Sequence, residues 1–123
     1  MTNTTLVEIE ERKGYLWISF PSSINRDNVI QIRNRIESEI EGKQEKVVLD
    51  LSSVKAADSI VINLIVNTRN KIEELKGTLS LVNLTKNCLN LFNAINLDKV
   101  LTIYQNEEEL FAKNENIKSD DMR

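Results

Sequence analysis

The residues best placed to do chemistry are an acid–serine pair, Asp58-Ser59, that follows a strand-like run and a short loop. The pair opens a segment with the apolar spacing of a helix. At that position a side-chain oxygen can accept a hydrogen bond from a backbone N–H that has no partner inside the helix. Taken alone, the residues therefore favour a capping role for Asp58 or Ser59.

Three other residues are weaker candidates. Asp50 and Asp58 could form a carboxylate pair for acid–base or metal chemistry, but Asp50 lies inside a predicted strand and a loop separates the two. A solvated or capping role suits them better. Cys88 lies on the apolar face of a predicted helix and is expected to be an ordinary buried thiol. Trp17 is either a core residue or a partly exposed anchor, and the sequence leaves both open.

The composition excludes several classes of function. The chain has 123 residues, with 16 Lys+Arg against 19 Asp+Glu and a net charge of −3, a length that fits one domain. It has no histidine, one cysteine and three glycines, so a Ser-His-Asp triad, a thiolate metal cluster and a Gly-rich phosphate loop are all excluded. We expect no enzyme activity, no cofactor and no metal. A mildly acidic chain without a basic stripe is also not expected to bind nucleic acid.

Targeting signals are not visible in the sequence. Residues 1–10 have neither a positively charged start nor a continuous apolar run. The most apolar segment, residues 60–66, is interrupted by Asn63 and is too short to cross a bilayer. The sequence therefore predicts a cytoplasmic protein that does not insert into a membrane.

Hydrophobic periodicity divides the chain into alternating elements. Runs rich in β-branched and aromatic residues predict strands at 6–10, 15–20, 46–51, 78–82 and 100–104. A period of 3.6 predicts helices at about 25–41, 58–76, 85–94 and 106–111. Ser23 or Asn25 is expected to cap the first helix and Asn106 the last. Gly42 is expected to end the first helix in the left-handed conformation, and Gly77 is expected to close the second helix.

The order of these elements predicts an α/β fold. Strands joined by helices pair in parallel, and the opening hairpin adds an antiparallel strand. We expect a mixed, mostly parallel sheet of about five strands covered by about four helices. Residues 1–112 would form one domain and residues 113–123 a polar, disordered tail. The loops before the helices then lie at the carboxyl edge of the sheet, where ligands and partners tend to bind.

One segment resembles the signature of a known family. The run Val-Val-Leu-Asp-Leu-Ser at 47–52, followed after a loop by Asp58-Ser59, is similar to the STAS pattern V-V-L-D-L-S, loop, D-S-S-G-L-G-x-L. STAS domains occur in bacterial anti-sigma factor antagonists and in the cytoplasmic part of sulfate transporters. The similarity extends over the whole element order, roughly residues 5–112, and implies a STAS-like fold.

The resemblance also implies a function. In the antagonists, the serine after the aspartate accepts a phosphate from a serine kinase that is itself the anti-sigma factor, and a PP2C-type phosphatase removes it. The unmodified antagonist binds the anti-sigma factor and so releases the sigma factor. Carried over to this chain, the resemblance makes Ser59 the phosphate acceptor. The residues implied in partner binding are Asp58, Ile60, Asn63, Ser23 and Asn25.

The chain departs from the family pattern around the serine. Ile60 replaces the second serine, Val61 and Asn63 replace the two glycines, and Asn25 replaces an aspartate in the loop after the second strand. These changes favour an alternative, a non-phosphorylated STAS scaffold subunit of a signalling complex or of membrane-transport machinery. An enzyme of small-molecule metabolism is the least supported class. The oligomeric state is left open.

Overall fold

The computed structural model of the chain describes residues 7–43 and 45–113. Its strands are β1 (Glu8–Arg12), β2 (Tyr15–Ser19), β3 (Lys46–Asp50), β4 (Thr78–Val82) and β5 (Thr102–Tyr104). Its helices are α1 (Val29–Ile40), α2 (Ser59–Glu74), α3 (Lys86–Ala94), a 3₁₀ turn (Leu97–Lys99) and α4, which is helical over 107–113. The disordered tail was expected over 113–123; Lys113 instead belongs to α4, and 114–123 lie outside the described residues.

The five strands form one sheet in the order β1-β2-β3-β4-β5. β1 pairs with β2 in antiparallel orientation, and β2 to β5 are parallel to their neighbours. The predicted mixed α/β fold is therefore confirmed. Because parallel neighbours need crossover connections, α1, α2 and α3 all begin at the carboxyl edge of the sheet.

Three helices cover one face of the sheet with the apolar stripes that their spacing predicts. Inward-facing residues of β2, β3 and β4, such as Ile18, Leu49 and Leu81, form the floor of this core. Val29 at the start of α1 and Leu75 just after α2 continue these stripes but are only half-buried. The buried helical residues are Ile32, Ile36 and Ile40 of α1, Val61, Leu64, Ile65, Thr68 and Ile72 of α2, and Cys88 and Phe92 of α3.

The opposite face carries a second, smaller core. Trp17 is 0% exposed and packs with Tyr15, Val48 and Val82 beneath Leu110 of α4. Trp17 is thus a core residue, which answers the question that the sequence left open. Burial also raises the pKa of the Tyr15 hydroxyl above its ordinary value.

Asp50 links this second core to the loops at the carboxyl edge. Its carboxylate accepts from the Trp17 indole at 3.3 Å, the Asn83 side-chain amide at 3.2 Å and the Ser52 backbone N–H at 3.0 Å. A half-buried carboxylate with three donors acts as a structural acceptor. Asp50 is therefore neither freely solvated nor the partner of Asp58 in a carboxylate pair.

The start of α1 differs from the prediction. The helix begins at Val29 after Asn28, and neither Ser23 nor Asn25 caps it. Asn25 Oδ1 instead accepts from the backbone N–H groups of Asp27 at 2.9 Å and Asn28 at 3.2 Å. A short asparagine side chain readily forms such a turn with the residues that follow it, and this turn takes the place of the expected cap.

Gly42 and Gly77 both follow helices, as expected, but only Gly42 is in the left-handed conformation. Gly42 has φ +70° after α1, as expected. After α2 the left-handed residue is Lys76, with φ +67°, and the N–H of Gly77 donates to the carbonyl of Ile72 at 2.9 Å. Gly77 is required for a different reason, because a Cβ there would lie 2.4 Å from the carbonyl oxygen of Glu45.

This close approach predicts the effect of a single methyl group. Gly77→Ala should lower the free energy of unfolding by about 2 kcal/mol or more, since backbone atoms must move to admit the Cβ. Gly42→Ala is the matched control, because a Cβ there meets no atom within 4 Å and only left-handed strain of about 1 kcal/mol is expected. Urea denaturation measures both, and equal losses would contradict the steric explanation.

Candidate functional site

The loop between β3 and α2 is held firmly at its centre. Leu51 and Val54 are buried, and the N–H of Leu51 donates to the carbonyl of Val82 at 3.1 Å. The hydroxyl of Thr85 donates to the carbonyl of Val54 at 3.0 Å. These contacts with β4 and the start of α3 fix the loop, so the residues after it are presented from a rigid base.

Asp58 caps α2, as the residue pattern predicts. Its Oδ1 accepts from the N–H of Val61 at 3.1 Å, and its carbonyl accepts from the N–H of Ile62 at 3.0 Å. Asp58 is itself exposed and has an extended backbone conformation. The carboxylate thus satisfies one helix N–H, and Ser59 is not needed for that task.

Ser59 is the first residue of α2 and is exposed. Within residues 7–43 and 45–113, its hydroxyl makes no hydrogen bond, and the N–H groups of Ser59 and Ile60 have no acceptor. Unpaired N–H groups and the helix dipole favour negative charge at this end of α2. The hydroxyl is thus accessible at a position that tolerates an anion.

Ile60 and Asn63 help to line a shallow concave surface between the beginnings of α1 and α2. Its volume is about 310 Å³, and its other lining residues include Val29 and Arg33 of α1. Farther along the same two helices, a polar depression of about 430 Å³ shares Arg33 and Asn67 with it. Val29, Arg33 and Asn67 were not predicted to lie on this surface. The spacing of Asn63 and Asn67, four residues apart on one helix, was a signal that could have revealed part of this surface.

Ser23 and Asn25 lie on the loop after β2, which is next to β3, so both loops emerge at the same edge of the sheet. The loop is held internally: the Asn25 amide donates to Ser23 Oγ at 3.3 Å, and the Asn28 amide donates to the Ser23 carbonyl at 2.9 Å. Both residues are exposed. In the described parts of the chain, no hydrogen bond joins this loop to Asp58 or Ser59.

The residues in place of the two family glycines behave differently. Val61 is 3% exposed and points into the core beneath α2, so it leaves the outer surface unobstructed. Asn63 is exposed, and Ile60 is half-buried beside it. The outer surface near Ser59 is therefore altered by Ile60 and Asn63 rather than by Val61.

The remaining candidates do not form a chemical site. Cys88 is buried, and its thiol donates to the Val54 carbonyl at 3.3 Å, as expected for a structural cysteine. In the part of the chain that the structure describes, no group of three His, Cys, Asp or Glu side chains is arranged to hold a metal ion. Nor does that part contain a helix with the length and hydrophobicity needed to span a membrane.

Comparison with known proteins agrees with this fold. The sequence model of the STAS domain matches residues 7–110, and the chain belongs to the STAS domain family. No curated protein matches the sequence significantly. The fold is that of structures of anti-sigma factor antagonists.

Three of these structures show how far the likeness extends. An anti-sigma-factor antagonist (STAS) domain protein from Planctomyces limnophilus is 26% identical, with TM-score 0.75 over 86% of this chain and 96% of that chain. A variant of RsbS from Moorella thermoacetica is 18% identical, with TM-score 0.77 over 94% and 99%. The Bacillus cell fate determinant SpoIIAA in its phosphorylated form is also 18% identical, with TM-score 0.66 over 86% and 97%.

The contribution of the Asp58 cap to the stability of α2 can be tested by substitution. Asp58→Ala should lower the free energy of unfolding by about 1 kcal/mol, because the N–H of Val61 loses its acceptor. Asp58→Asn is the matched control, since it keeps an acceptor oxygen at the same position. Thermal and urea denaturation measure both variants. A loss in the asparagine variant as large as in the alanine variant would show that the capping oxygen is not responsible.

Proposed function

We propose that the chain is an anti-sigma factor antagonist that is switched by phosphorylation of Ser59. In the unmodified form it binds a serine-kinase anti-sigma factor and thereby releases a sigma factor. The observation that carries the proposal is the exposed, unbonded hydroxyl of Ser59 at the first residue of α2, directly after the Asp58 cap. The partners act on transcription, so the proposal also places the chain in the cytoplasm.

The chemical step belongs to the partner kinase. The Oγ of Ser59 attacks the γ-phosphorus of ATP, the bond from that phosphorus to the β-phosphate oxygen breaks, and ADP leaves. A base of the kinase takes the hydroxyl proton. The chain contributes only the nucleophile and its position, because the loop anchored at Leu51 and Val54 holds the Ser59 hydroxyl at the surface. A PP2C-type phosphatase reverses the modification by hydrolysis.

The new charge would remain compatible with the fold. A phosphate adds roughly −1.5 to −2 charge at neutral pH. The unpaired N–H groups of Ser59 and Ile60 and the dipole of α2 can stabilise that charge locally. The phosphorylated chain is therefore expected to stay folded.

The same charge would disrupt a protein interface. The phosphate would lie beside the exposed carboxylate of Asp58 and next to the concave surface lined by Ile60 and Asn63. A partner bound there would have to desolvate two neighbouring negative groups. A loss of about 3 kcal/mol of binding free energy weakens the affinity by roughly a hundredfold, which is enough for a switch.

The comparisons support the proposal without extending to its details. Family membership covers the segment that contains Ser59, and SpoIIAA, which has the same fold, is known in a phosphorylated form. The STAS structures of antagonists cover almost the full length of both chains. That the partners are a kinase, a phosphatase and a sigma factor is part of the proposal.

The modification itself can be measured on the intact protein. A tagged chain recovered from its native cells, or incubated with an extract of those cells and ATP, should gain the mass of one phosphoryl group and lose it on treatment with a PP2C-type phosphatase. Ser59→Ala should abolish the gain. Ser53→Ala is the matched control, because Ser53 is an exposed serine of the same loop. A phosphate that persists in Ser59→Ala would overturn the assignment of the acceptor.

A second function is favoured by Ile60 and Asn63, which put side chains on the surface where the family pattern has serine and glycine. The chain would then be a constitutive scaffold subunit of a larger assembly. Native mass spectrometry of complexes purified from the native cells separates the two functions. Exchange of the partner with ADP or ATP supports the switch, whereas a permanent complex with a non-kinase protein and an unmodified Ser59 supports the scaffold.

A further inference from the structure

Large apolar side chains are exposed at only a few positions in the described residues, and these positions fall into two groups. Leu89, Ile95 and Val100 all belong to the segment from α3 to the start of β5. Ile30, which is 57% exposed, lies alone on α1. Exposed apolar patches of this kind often mark surfaces that bind another protein.

Leu89 of the first group lines a pocket beside β5, which is an edge strand of the sheet. The pocket has a volume of about 520 Å³ and lies between α3, the 3₁₀ turn, β5 and α4. Its apolar lining residues are Leu84, Leu89, Ile103 and Tyr104, and its carboxylates are Asp98 and Glu109. The Glu109 carboxylate accepts from the N–H of Gln105 at 2.7 Å, which keeps it beside the pocket. The pocket suits an apolar side chain accompanied by positive charge.

Ile30 offers that combination on the other side of the molecule. On α1 it is followed three residues later by Arg33, and Arg26 precedes it by four residues. Residues three apart on a helix are surface neighbours, which places Arg33 beside Ile30. Arg26 lies in the turn just before α1. Asp27 also lies near Ile30 in sequence, so the group has a net charge of +1. An exposed branched apolar side chain flanked by two arginines complements an apolar pocket flanked by two carboxylates.

We propose that the Ile30 side of α1 inserts into the β5 pocket of a second copy of this chain. Ile30 would fill the apolar part of the pocket, and Arg26 and Arg33 would face Asp98 and Glu109. The contact would cover the apolar groups of both surfaces at once, and its charges would fix the orientation.

The positions of the two surfaces determine the form of the assembly. α1 follows β2 and packs beside α2, whereas the pocket lies at the opposite edge of the sheet, at β5. Two different surfaces of the same chain then meet, so the contact is heterologous and repeats from copy to copy. Arg33 also lines the surface with Ile60 and Asn63, so a partner bound there would compete with self-association. The inference is independent of the phosphorylation proposed above.

Sedimentation velocity over a range of protein concentrations tests the contact. The wild-type chain should show an average mass that rises beyond that of a dimer as the concentration approaches about 1 mM, the range expected for a small interface. Ile30→Asp removes the inserting side chain, and Asp98→Lys reverses a charge of the pocket. Each variant alone should remain monomeric, with a dissociation constant increased by about tenfold or more. Higher salt should weaken the wild-type association, because the charges are exposed.

Mixing the two variants gives the sharpest result. Ile30→Asp keeps an intact pocket and Asp98→Lys keeps an intact Ile30, so the mixture should form dimers that grow no further. Ser38→Asp and Glu11→Lys are the matched controls, since each makes a similar change of charge at an exposed position away from Ile30 and from the pocket. Circular dichroism confirms that the variants are folded. A monomeric wild-type chain at every concentration, self-association of Ile30→Asp equal to wild type, or a mixture that stays monomeric would overturn the proposal.

Discussion

The burial of β3 on both faces of the sheet is the constraint on which the rest of the structure depends. Val47 and Leu49 face the helical core, Val48 faces the smaller core beneath α4, and all three are at most 1% exposed. A strand buried on both faces must pair with a neighbour on each side, and β2 and β4 are both parallel to it. The polypeptide then leaves β3 at the carboxyl edge, where Leu51 hydrogen-bonds to the end of β4 and fixes the start of α2.

Ser59 is accessible because the residues around it, Asp58 and Val61, fulfil the structural roles at the start of α2. Asp58 supplies the oxygen that α2 needs, and Val61 supplies the apolar side chain that the core needs. Ser59 lies between them and neither caps the helix nor packs in the core. A hydroxyl that contributes little to folding can change its charge at small cost to stability, and this is what a modification site requires.

Much of this was predictable from the sequence, and the failures have physical causes. The stripes of α1 and α2 repeat every 3.6 residues because each helix buries one side, so both helices were correctly predicted, although α1 begins at Val29 rather than near residue 25. The need for glycine at position 77 was not predictable, because it comes from the Glu45 carbonyl, 32 positions earlier in the chain. The hydrogen bond from Trp17 to Asp50 also joins residues far apart in sequence. Likewise, the surface shared by Val29, Arg33 and Ile60 arises only when two helices pack. Local patterns carry no information about such pairs.

The central claim is that the side chain at position 59 is open to solvent in the free chain and becomes covered when a partner protein binds. A Ser59→Cys variant measures this directly through its rate of reaction with a thiol reagent, since the native thiol of Cys88 is buried and contributes little background. The account predicts labelling of the free chain at a rate close to that of an exposed cysteine in a peptide, and strong protection in the complex isolated from native cells. Slow labelling of the free chain, or equal labelling in the free chain and the complex, would contradict it.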